Sequence, residues 1–203
     1  QPTDDVLTGE HLLDGVMAPG WKLEDVMPEI TRRSVQYIDE SGDQPFFLYF
    51  PLTAPHTPIV PTKAFQGLSG AGTYGDYVCQ VDWTVGQIMD ALDRQGIADN
   101  TLLIFTSDNG PESFAYDRVR EHGHYSMGHL RGVKRDVWEG GHREPFIARW
   151  PSVTPRGTVC DELCTLGDLM ATCAEIVGAE VPVGAGEDSV SILPLLRGEQ
   201  RPV

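Results

Sequence analysis

Two side chains that carry oxygen ligands, Asp108 and Asn109, stand directly after a short apolar run in TLLIFTSDNG, residues 101–110. Residues 102–106 are apolar or β-branched and too few for an ordinary helix, so they predict a buried strand that ends in a polar loop. In parallel sheets, ligands bind beyond the carboxyl ends of the strands. Carboxylate and amide oxygens suit a hard divalent cation such as Ca²⁺ or Mg²⁺. The alternative is a simple turn, because Asp, Asn and Gly are all favoured in turns.

A histidine follows the second strand candidate. Residues 45–52, PFFLYFPL, are rich in aromatic residues and bounded by prolines, which predicts another buried strand. The chain then enters APHTP at 54–58, where two prolines flank His56 and stiffen the loop. An imidazole at this place could act as a proton donor or as the partner of an anion. A lone histidine can equally be structural or merely exposed.

A lysine offers the third candidate for chemistry. Lys134 lies in LRGVKRDVWEGGHREP, residues 130–145, shortly after Gly132, which permits a close approach of the backbone. Its ammonium group could therefore reach an anionic group. The remaining charged residues are interpreted as an ion-pair network that braces the loop, with direct chemistry as the alternative: Arg131, Arg135, Glu139 and Arg143.

The elements between these residues predict how they are positioned. Apolar residues recur at three and four between Thr73 and Gln95, which predicts a long amphipathic helix, and a shorter one is predicted from Met27 to Glu40. Strand, loop, helix and strand then form a βαβ unit, whose right-handed crossover puts the strands at 46–52 and 101–106 in one parallel sheet. We therefore expect one cleft at the carboxyl edge of a mainly parallel sheet to contain His56, Asp108, Asn109 and Lys134.

The segment at 111–132 predicts a long loop above the same edge, because it has little apolar periodicity. Loops of this length in compact domains tend to be functional or disordered, and we interpret this one as a lid that faces the substrate. Its histidines, His122, His124 and His129, lack the helical pairing or the cysteine partner of a zinc site. The chain then returns toward a strand at 146–150. Residues 1–20 predict extended or loop structure.

Composition limits the class of protein. With 203 residues, 40% of them hydrophobic, the chain could bury one sizeable core. A formal charge of −15, with only 15 scattered Lys and Arg, argues against a nucleic-acid partner. The four cysteines form no CxxC pair and predict free thiols. No apolar run approaches the roughly 20 residues of a membrane span. The oligomeric state is left open.

Three motifs together carry a resemblance. APHTP at 54–58, FTSDNG at 105–110 and LRGVKRDVWEGGHREPFIARWP at 130–151, in that order and spacing, closely resemble the type I sulfatases of the alkaline phosphatase superfamily. DELCTLGDLMATCAEIVGAEVP at 161–182 and SILPLLRGE at 191–199 are also similar to that family. The resemblance implies an α/β fold with a mainly parallel sheet flanked by helices. It also implies that the chain is an incomplete half of the large sulfatase domain.

The resemblance assigns roles to the same residues. It implies that Asp108 and Asn109 ligate a divalent cation, most often Ca²⁺ with Mg²⁺ as the alternative, and that His56 and Lys134 contact the sulfate ester. A sulfated small molecule or glycan would be the substrate. A periplasmic, secreted or lysosomal-type compartment follows by resemblance alone.

One part of the family pattern is absent. Sulfatases carry a Cys-x-Pro/Ala-x-Arg motif whose cysteine becomes the formylglycine nucleophile, and an Asp pair that completes the metal site. None of the four cysteines here is followed by that pattern. We therefore expect residues 1–203 to be the C-terminal part of a sulfatase catalytic domain, without the nucleophile-bearing N-terminal part and the small C-terminal domain.

Two other functions remain open at this point. The chain could be a catalytically inactive fragment that binds an anion or a carbohydrate. It could also belong to a phosphatase or phosphodiesterase of the same superfamily, which would use another nucleophile and often two zinc ions. Asn109, where such enzymes would offer a histidine, favours a single cation with oxygen ligands.

Overall fold

The structure is a computed structural model and describes residues 18–200. Its strands are β1, Leu103–Thr106, and β2, Phe146–Arg149, and its helices are α1, Val26–Ser41, α2, Gly72–Arg94, α3, Ala115–His122, α4, Asp168–Val177, and α5, Leu193–Leu196. Short 3₁₀ turns occupy Leu23–Asp25, Ala98–Asn100 and Glu139–Gly141. No helix within residues 18–200 is long and apolar enough to cross a membrane. Seventeen of the first 20 residues, predicted as loop, lie outside the described part.

The chain divides into two compact units. The first comprises the described part of Gln1–Ile97 together with Thr106–Phe146, and the second comprises Ala98–Phe105 together with Ile147–Val203 as far as residue 200. All four predicted site residues, His56, Asp108, Asn109 and Lys134, belong to the first unit.

Helices α1 and α2 pack against each other in the first unit, as their apolar periodicity predicts. Met27, Ile38 and Leu92 are almost completely buried there. The hydroxyls of Thr31 and Thr84 lie 3.2 Å apart across the contact, so that each buried hydroxyl has a partner. Both helices are confirmed within one or two residues at each end.

The predicted strand at 45–52 is wrong for the described residues. The segment is extended, and its side chains alternate between exposed and half-buried, but it has no hydrogen-bonded strand partner among residues 18–200. Phe47 and Tyr49 are 78% and 77% exposed, whereas Phe46 packs edge-on against Tyr37. Aromatic residues and flanking prolines predicted the strand, but a strand also requires a neighbouring strand with which it can form hydrogen bonds.

Strands β1 and β2 are hydrogen-bonded neighbours in a two-stranded sheet. Both were predicted, at 102–106 and 146–150. The prediction that the first is buried on both faces is wrong, because all four residues of β1 are partly exposed. An apolar run indicates that a strand favours burial on both faces. A two-stranded sheet alone does not cover both faces.

The predicted loop at 111–132 contains a helix, and this part of the prediction is wrong. Helix α3 spans Ala115–His122 and ends at Gly123, whose φ of 64° is the left-handed conformation that commonly terminates helices. Its Arg118 is only 4% exposed, donates to Ser126 and stacks on Tyr74 at 3.7 Å. A short, mostly polar helix that is anchored by a buried arginine has little apolar periodicity from which it could be predicted.

The second unit is organised by side chains of α4. Asp168 accepts hydrogen bonds from the backbone amides of Thr165 and Val190, both at 2.9 Å. The hydroxyl of Thr172, also buried, accepts one from Ile192 at 2.9 Å. These bonds attach the segments on both sides of α4 to the helix. The four cysteines are free thiols, as predicted.

Candidate active site

Asp108 and Asn109 lie in the loop that follows β1. The carboxylate of Asp108 is exposed and forms no hydrogen bond or ion pair with another described residue. The side-chain amide nitrogen of Asn109 donates to the carbonyl of Gly110 at 3.0 Å, and the Ser107 hydroxyl donates to the Asn109 carbonyl at 3.2 Å. The first of these bonds leaves the amide oxygen of Asn109 available to another ligand.

Glycines pack this loop against the segment before β2. The amide of Gly110 donates to the carbonyl of Gly141 at 3.0 Å. A Cβ at Gly110 would lie 1.9 Å from the carbonyl oxygen of Gly140, and a Cβ at Gly140 would lie 2.2 Å from that of Gly132. Backbones can approach this closely only where side chains are absent. The loop that carries Asp108 therefore packs directly against the segment that carries Lys134.

Lys134 is held beside this loop by its own backbone. Its amide donates to the carbonyl of Pro111 at 2.7 Å, and Pro111 directly follows Gly110. The side chain is partly buried, and its ammonium group forms no hydrogen bond or ion pair with a described residue. A compact cation without an internal partner is suited to an external anion.

The neighbouring arginine has a different environment. Arg135 pairs with Glu112, whose two carboxylate oxygens lie 2.7 and 2.6 Å from Nη1. The sequence predicts that this arginine faces outward or pairs with Asp136 or Glu139. Its side chain is 69% exposed, so the first alternative is confirmed, although its acidic partner is Glu112. The backbone amide of Ser113, followed by the Arg135 guanidinium, holds the pKa of Glu112 below its usual value, although burial opposes this. Arg135 itself adopts a left-handed φ of 77°, which non-glycine residues rarely do.

The rest of the predicted ion-pair network is partly confirmed. Arg143 pairs with Glu139 at 2.9 Å. Arg131 instead lies over the ring of Trp138, 3.7 Å from its centroid. The bracing role of these side chains therefore combines a salt bridge with a cation–π contact.

Glu144 is a residue that sequence reasoning missed. Burial raises the pKa of its carboxyl group, the charge of Asp108 raises it further, and His142 opposes the shift. Its Oε1 is shielded from solvent and has no hydrogen-bond partner among the described residues. Glu144 is visible in the motif HREP. Its position before β2 does not indicate that the preceding glycines bring it near Asp108.

His56 is exposed, and its Nδ1 lies 2.8 Å from the carbonyl oxygen of the adjacent Thr57. The loop runs beside α2: burial raises the pKa of Tyr77, and the Thr53 side chain opposes this shift. Within residues 18–200, no hydrogen bond or ion pair joins His56 to Asp108, Asn109 or Lys134. The single cleft for all four residues stays a prediction.

The chemistry of the donors fits a divalent cation with oxygen ligands. Asp108 offers an unpaired carboxylate and Asn109 an amide oxygen, and both are of the type that Ca²⁺ and Mg²⁺ prefer. The described residues contain no group of three or more His, Cys, Asp or Glu side chains that could hold a metal ion.

The protein class follows from a comparison with known families. The family model named Sulfatase matches residues 22–179, which is most of the chain. The chain belongs to the sulfatase family.

Curated relatives agree with this assignment. An N-acetylgalactosamine-6-O-sulfatase of Bacteroides thetaiotaomicron is 41% identical over 186 residues, which are 88% of this chain and 36% of that protein. Human arylsulfatase D is 37% identical over 183 residues, again 88% of this chain and 30% of that protein. The chain thus spans about a third of the length of the curated relatives it matches.

Solved structures give the fold. A sulfatase structure described with glycosaminoglycan metabolism in B. thetaiotaomicron matches with a TM-score of 0.80 at 40% identity, covering 88% of this chain and 38% of that one. A Pseudoalteromonas sulfatase matches with a TM-score of 0.79 at 30% identity, covering 93% of this chain and 38% of that one. The predicted α/β, alkaline-phosphatase-like fold is confirmed, with the chain corresponding to part of it.

Proposed function

We propose that this chain forms part of the active site of a sulfuric ester hydrolase that cleaves sulfate esters of an aryl or carbohydrate substrate. The nucleophile, a formylglycine, lies outside this chain. Asp108 and Asn109 supply oxygen ligands to a divalent cation, Ca²⁺ with Mg²⁺ as the alternative. His56 and Lys134 act on the sulfate ester. The relatives support this reading, because they include proteins named as N-acetylgalactosamine-6-O-sulfatase and arylsulfatase.

The observation that supports the proposal most directly is the hydrogen bond from the Lys134 amide to the Pro111 carbonyl, 2.7 Å long. It ties an unpaired ammonium group to the loop that carries an unpaired carboxylate and an amide oxygen. An ammonium group and a carboxylate that have no partners among the described residues, on two segments joined by this bond, suit a ligand that carries both an anion and a bound cation. A sulfate ester beside a divalent cation is such a combination.

The proposed chemistry assigns one task to each side chain. The bound cation would supply positive charge to the nonbridging oxygens of the sulfate group. Lys134 neutralises negative charge that develops on the bridging oxygen as the S–O bond breaks. His56, in its protonated form, gives its proton to that oxygen, so the leaving group departs as a neutral alcohol or phenol.

Hydrolysis of 4-nitrophenyl sulfate and 4-nitrophenyl phosphate by the full-length protein tests this proposal. We expect clear preference for the sulfate ester. Asp108→Ala should abolish most of that activity. Asp99→Ala, which removes an acidic side chain in the second unit, should leave it nearly unchanged. Preference for the phosphate ester would support the phosphatase alternative. Absence of both activities in folded protein would support the inactive binding fragment.

A further inference from the structure

Gln80 is a polar side chain in the interior face of α2. The residue is only 1% exposed. Its side-chain oxygen accepts a hydrogen bond from the backbone amide of Thr62 at 2.8 Å. Burying an amide side chain costs free energy, which a hydrogen bond of this kind offsets. The bond attaches the backbone at Thr62 directly to the helix.

Thr62 stands at the end of the loop that carries His56. The six-residue step between them contains Pro58 and Pro61, whose fixed φ angles limit how the chain can rearrange. Between the two prolines, Ile59 is 3% exposed and packs in the interior. The loop is therefore a short, stiff segment, and the bond from Thr62 to Gln80 removes much of its remaining freedom to shift.

The chain beyond Thr62 is attached to the same face of α2. Asp76, one turn before Gln80, is 6% exposed. Its carboxylate accepts hydrogen bonds from the backbone amides of Gly67 at 2.7 Å and of Ser69 at 2.9 Å. Residues four apart lie on the same side of a helix. Two buried side chains of α2 thus hold three backbone amides of the segment that follows His56.

We propose that Gln80 is a positioning residue, which fixes the loop of His56 so that the imidazole meets the leaving-group oxygen of the sulfate ester. This inference rests on the proposed function, in which protonated His56 gives its proton to that oxygen as the S–O bond breaks. Gln80 acts through the loop and does not itself contact the ester. Displacing a reacting group by about 1 Å can cost roughly 10²-fold in rate, even when the fold is kept.

The dependence of the rate on the leaving group tests this role in the full-length protein. Phenol is a more basic leaving group than 4-nitrophenol, so phenyl sulfate depends more on proton donation than 4-nitrophenyl sulfate does. Gln80→Met keeps the approximate size of the side chain and removes the acceptor oxygen. It should lower kcat about 10²-fold for phenyl sulfate and less than about fivefold for 4-nitrophenyl sulfate. Gln80→Glu, which keeps an acceptor oxygen, should restore most of the rate on phenyl sulfate.

Thr84→Val is the matched control, because it removes a buried hydrogen bond of the same helix that does not involve the loop. Thr84 lies one turn after Gln80 and is also 1% exposed, but its hydroxyl is 3.2 Å from that of Thr31 in α1. The control should lower Tm, as Gln80→Met does, since both lose a buried hydrogen bond. It should leave the ratio of the rates on the two esters unchanged.

Three results would overturn the role of Gln80. They are equal losses on the two esters for Gln80→Met, failure of Gln80→Met to fold where Thr84→Val folds, and no recovery of the phenyl sulfate rate in Gln80→Glu. His56→Ala tests the proposed function separately and should lose more activity on phenyl sulfate than on 4-nitrophenyl sulfate. Equal losses for His56→Ala would show that His56 is not the proton donor, and the inference would then fail with the proposed function.

Discussion

Lys134 and Arg135 are adjacent residues of equal charge with different surroundings. The ammonium group of Lys134 has no partner in the described part of the chain, while the guanidinium of Arg135 is held by Glu112. In the sequence, only a family motif indicated which of the two residues would contact the substrate. The structure adds a physical distinction, because one charge is already neutralised and the other is not.

This distinction predicts unequal effects of two alanine substitutions in the full-length protein. Lys134→Ala should reduce kcat for an aryl sulfate about 10²- to 10³-fold, the usual effect of removing a group that stabilises developing charge. Arg135→Ala loses a largely exposed ion pair, worth about 0–1 kcal/mol of stability, and should change kcat little. Steady-state kinetics on one substrate measures both. Equal losses, or a larger loss for Arg135→Ala, would contradict the assignment of Lys134.

Glu112 provides a pH-dependent prediction. Hydrogen bonding to Ser113 and Arg135 holds its pKa below the ordinary 4.5, so folding favours the charged form. This contribution to stability is fully present above about pH 4.5 and is lost as the pH falls through the lower pKa of the folded state. The Tm of wild type should therefore exceed that of Glu112→Gln near pH 7, and the difference should shrink on acidification below pH 4.5. A difference that grows toward low pH would show that the sign is wrong.

At the scale of elements, Gly110 joins the loop after β1 to the segment before β2, because an added Cβ there would lie 1.9 Å from the carbonyl oxygen of Gly140. Gly132, Gly140 and Gly141 fold the second segment closely on itself, since an added Cβ at each would come within 3 Å of another residue of that segment. The amide of Lys134 also donates to the carbonyl of Pro111. Backbone contacts therefore place the segment that carries Lys134 beside the loop that carries Asp108.

Gly110→Ala should damage this junction. The new methyl group would lie 1.9 Å from the carbonyl oxygen of Gly140, so one segment must move. We expect a loss of about 1–3 kcal/mol in the free energy of unfolding and weaker Ca²⁺ binding. Gly86→Ala in α2 is the control, because nothing lies within 4 Å of its added Cβ, and it should be neutral or slightly stabilising. Chemical denaturation measures both; equal stability of the two variants would contradict the role of Gly110.

The sequence predicted the elements that have a clear local pattern of apolar residues. Helices α1 and α2 were predicted from apolar periodicity, and β1 and β2 from short apolar runs. Helix α3 was missed because the side chains that it buries, Ala115 and Arg118, do not form an apolar stripe. The segment at 45–52 was assigned as a strand from its aromatic residues and flanking prolines, which carry no information on whether a neighbouring strand is present.

The candidate site was predictable as a set of residue types but not as an arrangement. The order of motifs identified Asp108, Asn109, His56 and Lys134. It did not identify Glu144, since proximity to Asp108 depends on the glycine junction between two segments some 30 residues apart. Contacts that depend on backbone packing between distant segments leave no local signal in the sequence.

At the scale of the whole molecule, the chain covers 36% and 30% of two curated sulfatases. It contains Asp108, Asn109, His56 and Lys134, but none of its cysteines is followed by the formylglycine pattern. The proposed reaction thus needs groups from this chain and a nucleophile from outside it.

The isolated 203-residue chain should accordingly show negligible sulfatase activity, because the covalent step would lack its nucleophile. Release of 4-nitrophenol from 4-nitrophenyl sulfate measures this, with the full-length protein as the positive control. Metal binding should also be weaker in the isolated chain, since the ligand set is partial. Robust turnover by the pure chain would show that the nucleophile has been assigned to the wrong place.

The most direct measurement is a crystal structure of the full-length protein with Ca²⁺ and an unreactive sulfate ester analogue bound. The account predicts that oxygens of Asp108 and Asn109 lie about 2.3–2.6 Å from the cation. Lys134 and His56 should both lie within hydrogen-bonding distance, roughly 2.7–3.2 Å, of oxygens of the same sulfate group. Calcium bound away from Asp108 and Asn109, or a sulfate group that neither Lys134 nor His56 touches, would contradict it.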